Sequence, residues 1–200
     1  MKNSFRLLFL LLGLCLFTIS SCTDDDETTT TSNEETLNYD GNWVTAPALE
    51  QGTRIYAAYF PADEVQSLVG RRLARIDFWL QTIPDATTVR IYRTSGNDRS
   101  PGDQLHERNL TQRINTTGWY QYVIPAETVV EIPADGIWLA VETTAPTDRF
   151  QAIGCDDGSN FNPNGDRMLP PTGGTWTSFS EITSGGETIN WNIRGVLAAQ

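Results

Sequence analysis

The chain has 200 residues and is acidic, with 25 Asp and Glu against 14 Lys and Arg and a formal net charge of −11. This charge argues against a basic surface for binding nucleic acid. The length fits one domain with an additional segment. A folded part of about 160 residues buries about 70% of its unfolded surface, so it needs neither disulfides nor a metal ion to be stable.

Residues 1–21 have the pattern of a secretory signal peptide. Two basic residues near the start precede an apolar run over residues 7–19, and small residues stand just before Cys22. The apolar run has 13 residues, whereas a helix that spans a bilayer needs roughly 20. The pattern therefore predicts a cleaved segment rather than a transmembrane helix.

The residues around this cut resemble a bacterial lipoprotein signal. Ile19-Ser-Ser-Cys22 resembles a lipobox, which implies cleavage before Cys22 and acylation of its thiol and of the new amino terminus. A bacterial lipoprotein carries three acyl chains, and more than one chain gives stable anchoring. The partner would then be outer-membrane lipid, bound through the acyl chains of Cys22. The alternative is an ordinary signal peptide with a cysteine at the cut by chance.

Residues 22–37 are predicted to form a disordered tether behind the lipidated cysteine. They are rich in Thr, Ser, Asp and Glu and lack an apolar pattern. The acidic run at residues 24–27 resembles the surface-export signal of Bacteroidetes lipoproteins. The resemblance implies an outer-membrane, lipid-anchored protein that faces the cell exterior. The alternative is a solvated acidic tether without a targeting role.

Residues 38–200 are predicted to form one all-β domain. Short β-rich runs are separated by Gly and Pro, which favours an antiparallel sandwich or barrel. Apolar residues at alternate positions mark half-buried strands. The clearest sets are Ile76, Phe78 and Leu80; Val89 and Ile91; Ile137, Leu139 and Val141; and Ile189, Trp191 and Ile193. Strands are predicted near 41–46, 53–60, 73–82, 87–94, 104–110, 119–124, 128–132, 136–144, 149–155 and 187–197.

One short helix is predicted near residues 61–69. Pro61 and two acidic residues stand at its start and Gly70 follows its end, as is typical of helix boundaries.

Residues 156–186 lack a strand pattern over most of their length, and long loops in compact domains are often functional. Residues 160–166 resemble the first half of an EF-hand loop, with oxygen ligands at alternate positions before a glycine. Pro171 stands where the bidentate Glu is required. The candidate calcium ligands are Asp156, Asp157, Asn160, Asn162, Asn164 and Asp166. A loop rich in Asx turns is the favoured alternative. Apart from this structural calcium, no cofactor is expected.

A series of sequence signals carries a family resemblance. In chain order they are Ile55-Tyr-Ala-Ala-Tyr-Phe60, the short helix up to Gly70, Leu73-Ala-Arg-Ile-Asp-Phe-Trp-Leu80, Val89-Arg-Ile-Tyr92, Pro101-Gly-Asp-Gln-Leu105, Gly118-Trp119, Gly136-Ile-Trp-Leu-Ala-Val141, Trp176 and Asn190-Trp-Asn-Ile-Arg-Gly195. Their order resembles the adhesin-like β-sandwich modules of Bacteroidetes surface proteins, including those similar to the cleaved-adhesin modules of gingipain-type haemagglutinins. Over most of residues 40–200, the resemblance implies a jelly-roll sandwich related to galactose-binding domains. Such modules often carry a structural calcium.

An enzymatic role is not expected. His106 is the only histidine, so a Ser-His-Asp or Cys-His mechanism must use it. Cys155 is the one cysteine left to pair with it as a nucleophile, and its apolar neighbours predict a buried thiol. The sequence contains no Gly-x-Ser-x-Gly, His-Glu-x-x-His or phosphate-binding loop.

Strand parity predicts a binding face instead. Trp79 lies on the opposite face of its strand from the apolar set of Ile76, Phe78 and Leu80. In the same way, Tyr92 lies opposite Ile91, and Trp138 lies opposite Ile137 and Leu139. The candidate ligand-binding residues are Trp79, Arg90, Tyr92 and Trp138. Exposed aromatic faces stack on sugar rings, and exposed apolar patches mark interaction sites. The alternative is that loops or the helix cover these rings. Trp119, Trp176 and Trp191 are expected in the core.

These observations favour a cell-surface lipoprotein that acts as a non-catalytic binding or adhesion module for glycan or protein. The alternative is a structural or accessory subunit of a surface assembly without a small ligand.

Overall fold

The computed structural model describes residues 34–96, 100–171 and 173–199. The predicted signal peptide, the predicted lipidation site Cys22 and the predicted tether up to residue 33 lie outside these residues. In the described part of the chain, no helix combines the length and the apolar character needed to cross a membrane.

The described residues form a sandwich of two antiparallel sheets. The elements are β1 (Thr36–Leu37), β2 (Gly52–Pro61), α1 (Ala62–Val65), β3 (Leu73–Leu80), β4 (Ala86–Thr94), β5 (Pro101–Asn109), β6 (Gly118–Val123), β7 (Gly136–Ala145), β8 (Arg167–Leu169), β9 (Thr177–Ser178), α2 (Phe179–Ile182) and β10 (Ile193–Leu197). One sheet has the strand order β1-β10-β3-β6 and the other has β5-β4-β7-β2-β8-β9. The predicted all-β sandwich is confirmed.

The main core lies between the two sheets. It includes the four alternating apolar sets predicted from the sequence, all of which are buried. On β3, for example, Ile76, Phe78 and Leu80 have no exposed surface. The two-residue period of a strand places such residues on one face, so the prediction of the inner faces is confirmed.

The six-stranded sheet is also buried on its outer face over β2 and β7, which the alternation did not predict. Ala57 and Tyr59 of β2 and Trp138 and Ala140 of β7 form a second apolar cluster there. Side chains from the segment after residue 156 cover this cluster, among them Trp176. Strands β2 and β7 are therefore buried on both faces along much of their length.

The short helix is present where it was predicted. Helix α1 continues into a 3-10 turn at Gln66–Leu68. Val65 and Leu68 point into the core, and Gly70 follows with a φ of 79°. A left-handed residue of this kind ends a helix with little strain only when it is glycine.

Three predicted strands are not regular strands. The segments 41–46, 128–132 and 149–155 make isolated bridges, such as Thr45 with Cys155 and Arg72 with Glu131. Some of their apolar residues, such as Val130 and Ile153, are buried in the core, which explains why their sequences resemble strands.

The domain begins before residue 38, the boundary predicted from the sequence. Thr36 and Leu37, inside the predicted tether, pair with Val196 and Gly195 of β10. Leu37 is 8% exposed and joins the main core. A single apolar residue in a polar segment gives too weak a pattern to predict this strand.

Candidate functional site

Three tryptophans cluster on the outer face of the four-stranded sheet. Trp79 of β3 and Trp119 of β6 are directly paired across the two strands. Trp43, from the irregular segment before β2, stacks on Trp79 with ring centroids 4.6 Å apart and an interplanar angle of 17°. Trp119 meets Trp79 edge to face at 5.9 Å and 88°. We call Trp43, Trp79 and Trp119 the tryptophan surface.

The outer two rings of this surface reach solvent. Trp43 is 37% exposed and Trp119 is 40% exposed, whereas Trp79 is half-buried between them. Gly154 permits the close packing, because a Cβ at that position would lie 2.6 Å from Trp79 and 2.7 Å from Trp43. The backbone below the two stacked indoles therefore has no room for a side chain.

A buried ion pair holds one side of the tryptophan surface. The Arg194 guanidinium carbon lies 4.3 Å from the ring centroid of Trp119, a cation–π distance. Arg194 donates from Nε and Nη2 to Asp40, at 2.9 and 2.7 Å to Oδ2. Asn192 Nδ2 donates to the same oxygen at 2.7 Å, and the Asp40 side chain is fully buried. These bonds restrict the position of the guanidinium over the indole.

Polar side chains continue the same face of the sheet. Asp77 precedes Trp79 by two residues on β3 and is paired with Gln121 and Arg194 on the neighbouring strands. Arg75 donates from Nε to Asp77 at 2.8 Å and from Nη2 to Glu34 at 3.0 Å. Burial raises the pKa of Asp77, and the Arg75 guanidinium opposes that shift. Aromatic rings thus stand beside groups that donate and accept hydrogen bonds.

The four predicted ligand-binding residues do not come together. Trp79 lies in the four-stranded sheet, whereas Arg90, Tyr92 and Trp138 lie in the other sheet. Trp138 has no exposed surface: it stacks on Tyr59 with centroids 4.6 Å apart, and Trp176 packs edge-on against it at 5.3 Å. The prediction of Trp138 as an exposed residue is therefore wrong, because a loop covers its face.

Arg90 and Tyr92 are also engaged within the protein. Arg90 donates to Glu142 at 3.1 Å and to Gln104 at 3.0 Å, and it forms a further ion pair with Glu107. Tyr92 is half-buried against the second apolar cluster, and burial raises the pKa of its hydroxyl.

Sequence reasoning missed two of the three surface tryptophans. Trp119 was expected in the core but lies on the outer face, since it pairs with Trp79 across the strands. That register cannot be read from either strand alone. Trp43 lies in an irregular segment with no periodic signal. Trp191, expected in the core, is 1% exposed.

The calcium candidates make the bonds of a turn-rich loop. Asp156 Oδ1 accepts from the backbone N of Gly158 at 3.0 Å and of Asn190 at 2.7 Å, and its Oδ2 accepts from Asn190 Nδ2 at 2.9 Å. Asp157 accepts from Ser159 N at 3.0 Å.

The second half of this loop shows the same pattern. Asn162 Oδ1 accepts from Asn164 N at 2.9 Å, and the carbonyl of Asn160 accepts from Asn190 Nδ2 at 3.2 Å. Asp166 is buried, and its Oδ2 accepts from Ser180 N at 2.8 Å. Among the described residues, no group of three or more His, Cys, Asp or Glu side chains is arranged to hold a metal ion. The contacts favour the Asx-turn alternative, and the calcium site stays a prediction.

His106 and Cys155 have separate surroundings. His106 Nε2 lies 2.8 Å from Tyr122 Oη, a contact that joins β5 to β6 across the two sheets. Burial lowers the pKa of His106. Cys155 is fully buried in the main core, where burial raises its thiol pKa to about 12. A nucleophilic cysteine requires a thiolate, which this environment disfavours.

Comparison with known proteins identified no relative of this chain. No family model, curated protein or solved structure matches the chain. Functional inference therefore depends on the residues of this chain.

Proposed function

We propose that this chain is a cell-surface lipoprotein whose sandwich domain binds glycan without catalysis, and that the tryptophan surface is its binding site. Lipidated Cys22 would anchor it to the outer membrane, with the domain facing outward. The anchor is supported by the signal-like residues 1–22 and the acidic run after them. The observation that carries the binding proposal is the pair of partly exposed indoles, Trp43 and Trp119, on one sheet face.

The chemistry of this face suits a sugar ring. The C–H face of a sugar is apolar and packs on an indole, while its hydroxyls both donate and accept hydrogen bonds. Arg75, Asp77 and Gln121 continue the face beside the rings and supply both kinds of group. The stacked pair and the ion pair of Asp40 with Arg194 hold the rings in place before binding, which reduces the entropy lost on association.

A glycan array tests this proposal, using residues 23–200 so that the tether is retained and Cys22 is absent. We expect the unaltered chain to bind, and Trp119→Ala or Trp43→Ala to weaken binding at least about tenfold, corresponding to about 1.4 kcal/mol. Val129→Ala is the matched control, because Val129 is 67% exposed and lies outside the tryptophan surface. Circular dichroism and urea unfolding check that each variant is folded.

Two results would count against glycan binding at this surface. One is an array without reproducible signals. The other is binding that both tryptophan variants retain at full strength. The anchor is tested separately by metabolic labelling with a palmitate analogue, which Cys22→Ala should abolish.

A subunit of a surface assembly is the second candidate, and the edge of the six-stranded sheet favours it. Among the described residues, the nine-residue strand β5 pairs only with β4. An unpaired edge can add a strand from a partner. However, Asp103, Glu107 and Arg108 lie along β5, and charged residues usually protect an edge from such pairing. Cross-linking of intact cells would give a discrete larger species if this role is the correct one.

A further inference from the structure

A cavity opens on the opposite side of the sandwich from the tryptophan surface. It has a volume of about 650 Å³, within the range of small-molecule sites. The residues that line it include Ser100, Arg167, Thr175, Trp176, Thr177 and Glu181. Ser100 stands just before β5, and the other five belong to the segment that covers the outer face of the six-stranded sheet. We call this space the loop cavity.

Secondary structure holds the walls of the loop cavity. Strand β8, which carries Arg167, pairs with both β2 and β9. Helix α2 begins with a capping box in which Ser178 and Glu181 each bond to the backbone of the other. Trp176 packs edge-on against buried Trp138, with centroids 5.3 Å apart. The cavity is therefore formed before a ligand arrives.

The lining combines three kinds of group. Trp176 supplies an aromatic ring, and Ser100 and Thr175 supply hydroxyls that both donate and accept. The Thr177 hydroxyl donates to Glu181 Oε2 at 2.8 Å, so its oxygen is offered as an acceptor. Arg167 and Glu181 are charged with opposite signs. Hydrogen bonds from Thr177 and Ser178 lower the pKa of Glu181, so this carboxylate is ionised at neutral pH. One positive and one negative side chain leave the lining without a net charge.

From this lining we propose that the loop cavity binds one neutral monosaccharide unit and is a second ligand site of the protein. A sugar presents an apolar ring face for Trp176 and hydroxyls for the charged and hydroxyl side chains. A strongly charged ligand would leave either Arg167 or Glu181 facing a like charge, which is unfavourable. The volume is too small for a folded partner. This site does not depend on whether the tryptophan surface binds glycan.

The six tryptophans of the chain make the test specific to each site. In a proton–nitrogen correlation spectrum of residues 23–200, each indole N–H gives its own signal, assigned by single Trp→Phe variants. Titration with D-glucose, D-galactose, D-mannose or N-acetyl-D-glucosamine should shift Trp176 and Trp138 saturably for at least one sugar. A dissociation constant of about 1–10 mM is expected for a ligand of roughly 12 non-hydrogen atoms.

Variants then locate the contact. Trp176→Ala should abolish the saturable shift of Trp138. Thr175→Val removes an exposed lining hydroxyl at nearly constant volume and should weaken binding about threefold or more, the loss expected for one hydrogen bond. Thr116→Val is the matched control, because Thr116 is exposed and lies outside the loop cavity. Since Thr175 is on the surface, this pair keeps the test valid if Trp176→Ala does not fold.

Three results would overturn the proposal. The first is no saturable shift of Trp176 with any of the four sugars. The second is saturable shifts confined to Trp43 and Trp119, which would place all sugar binding on the tryptophan surface. The third is tighter binding of D-glucuronate than of D-glucose, because the cavity would then prefer an anionic sugar to a neutral one. If the tryptophan surface does not bind glycan but the loop cavity does, the signals of Trp43 and Trp119 will not shift, while that of Trp176 still does.

Discussion

At the scale of single residues, two buried carboxylates differ in what surrounds them. Asp40 accepts hydrogen bonds from Arg194 and Asn192. Asp166 accepts from Ser180 N through Oδ2, and its Oδ1 has no hydrogen-bond partner within the described residues. Burial accordingly raises the pKa of Asp166. Asp40 positions the tryptophan surface, whereas Asp166 is a buried carboxyl group with one oxygen that lacks a hydrogen-bond partner within the described residues.

The raised pKa of Asp166 predicts a pH-dependent effect of Asp166→Asn. Protonated Asp166 stabilises the fold fully below its ordinary value of 3.8, and this contribution is lost as the pH rises through the raised pKa. Asn stays uncharged throughout. The free energy of unfolding of Asp166→Asn minus that of the unaltered chain should therefore increase with pH above 3.8 and level off once the pH exceeds the raised pKa. Urea unfolding across this range measures the difference, and a difference independent of pH would contradict it.

At the scale of elements, β1 shows how a two-residue strand can define a domain boundary. Leu37 packs in the main core. The residues just before β1 form ion pairs: Glu35 with Arg71 and Glu34 with Arg75. The chain therefore joins the sheet well before the first long strand.

Removal of β1 is predicted to destabilise the domain. A chain of residues 38–200 should unfold at lower urea concentration than one of residues 34–200, with a loss of about 1.5–5 kcal/mol. Burial of Leu37 accounts for about 1.5–3 kcal/mol, and the exposed ion pairs add about 0–1 kcal/mol each. Leu37→Ala in the longer chain measures the contribution of apolar burial separately from that of the ion pairs. Equal stability of the two chains would show that β1 is dispensable.

The sequence predicted features that depend on neighbouring residues and missed those that depend on distant ones. The inner faces of β3, β4 and β7 follow from the two-residue period, and α1 follows from Pro61 and Gly70. By contrast, the burial of Trp138 results from a segment that begins about twenty residues later in the chain. Trp119 reached the surface because of its register with β3. Of the three residues of the tryptophan surface, only Trp79 was predicted on the outer face, from the two-residue period of its strand.

At the scale of the whole molecule, both sheets share one core, and Cys155 lies inside it. The segment around Cys155 bridges to Thr45 and to Trp191, so it connects chain regions that are far apart in sequence. Exposure of this thiol therefore requires the sandwich to open.

Thiol labelling of residues 23–200, in which Cys155 is the only cysteine, should report global unfolding. Without denaturant we expect very slow reaction with a thiol reagent, because the group is buried and its pKa is raised to about 12. In urea, the labelling rate should rise about tenfold for each 1.4 kcal/mol of lost stability. Fluorescence-detected unfolding gives the stability at each urea concentration. Rapid labelling without urea would reveal a local opening around Cys155 instead.

The position of β10 has a consequence for how the protein is made. Residues 193–197 lie between β1 and β3 in the four-stranded sheet, so β1 has no partner there and β3 has an open edge until these residues are available. The sheet therefore cannot assemble progressively during synthesis, because β10 is made after β1, β3 and β6. Pairing of β1 with β10 also joins residues that are far apart in sequence, which slows folding. A chain that stalls before residue 193 would leave β3 exposed to aggregation.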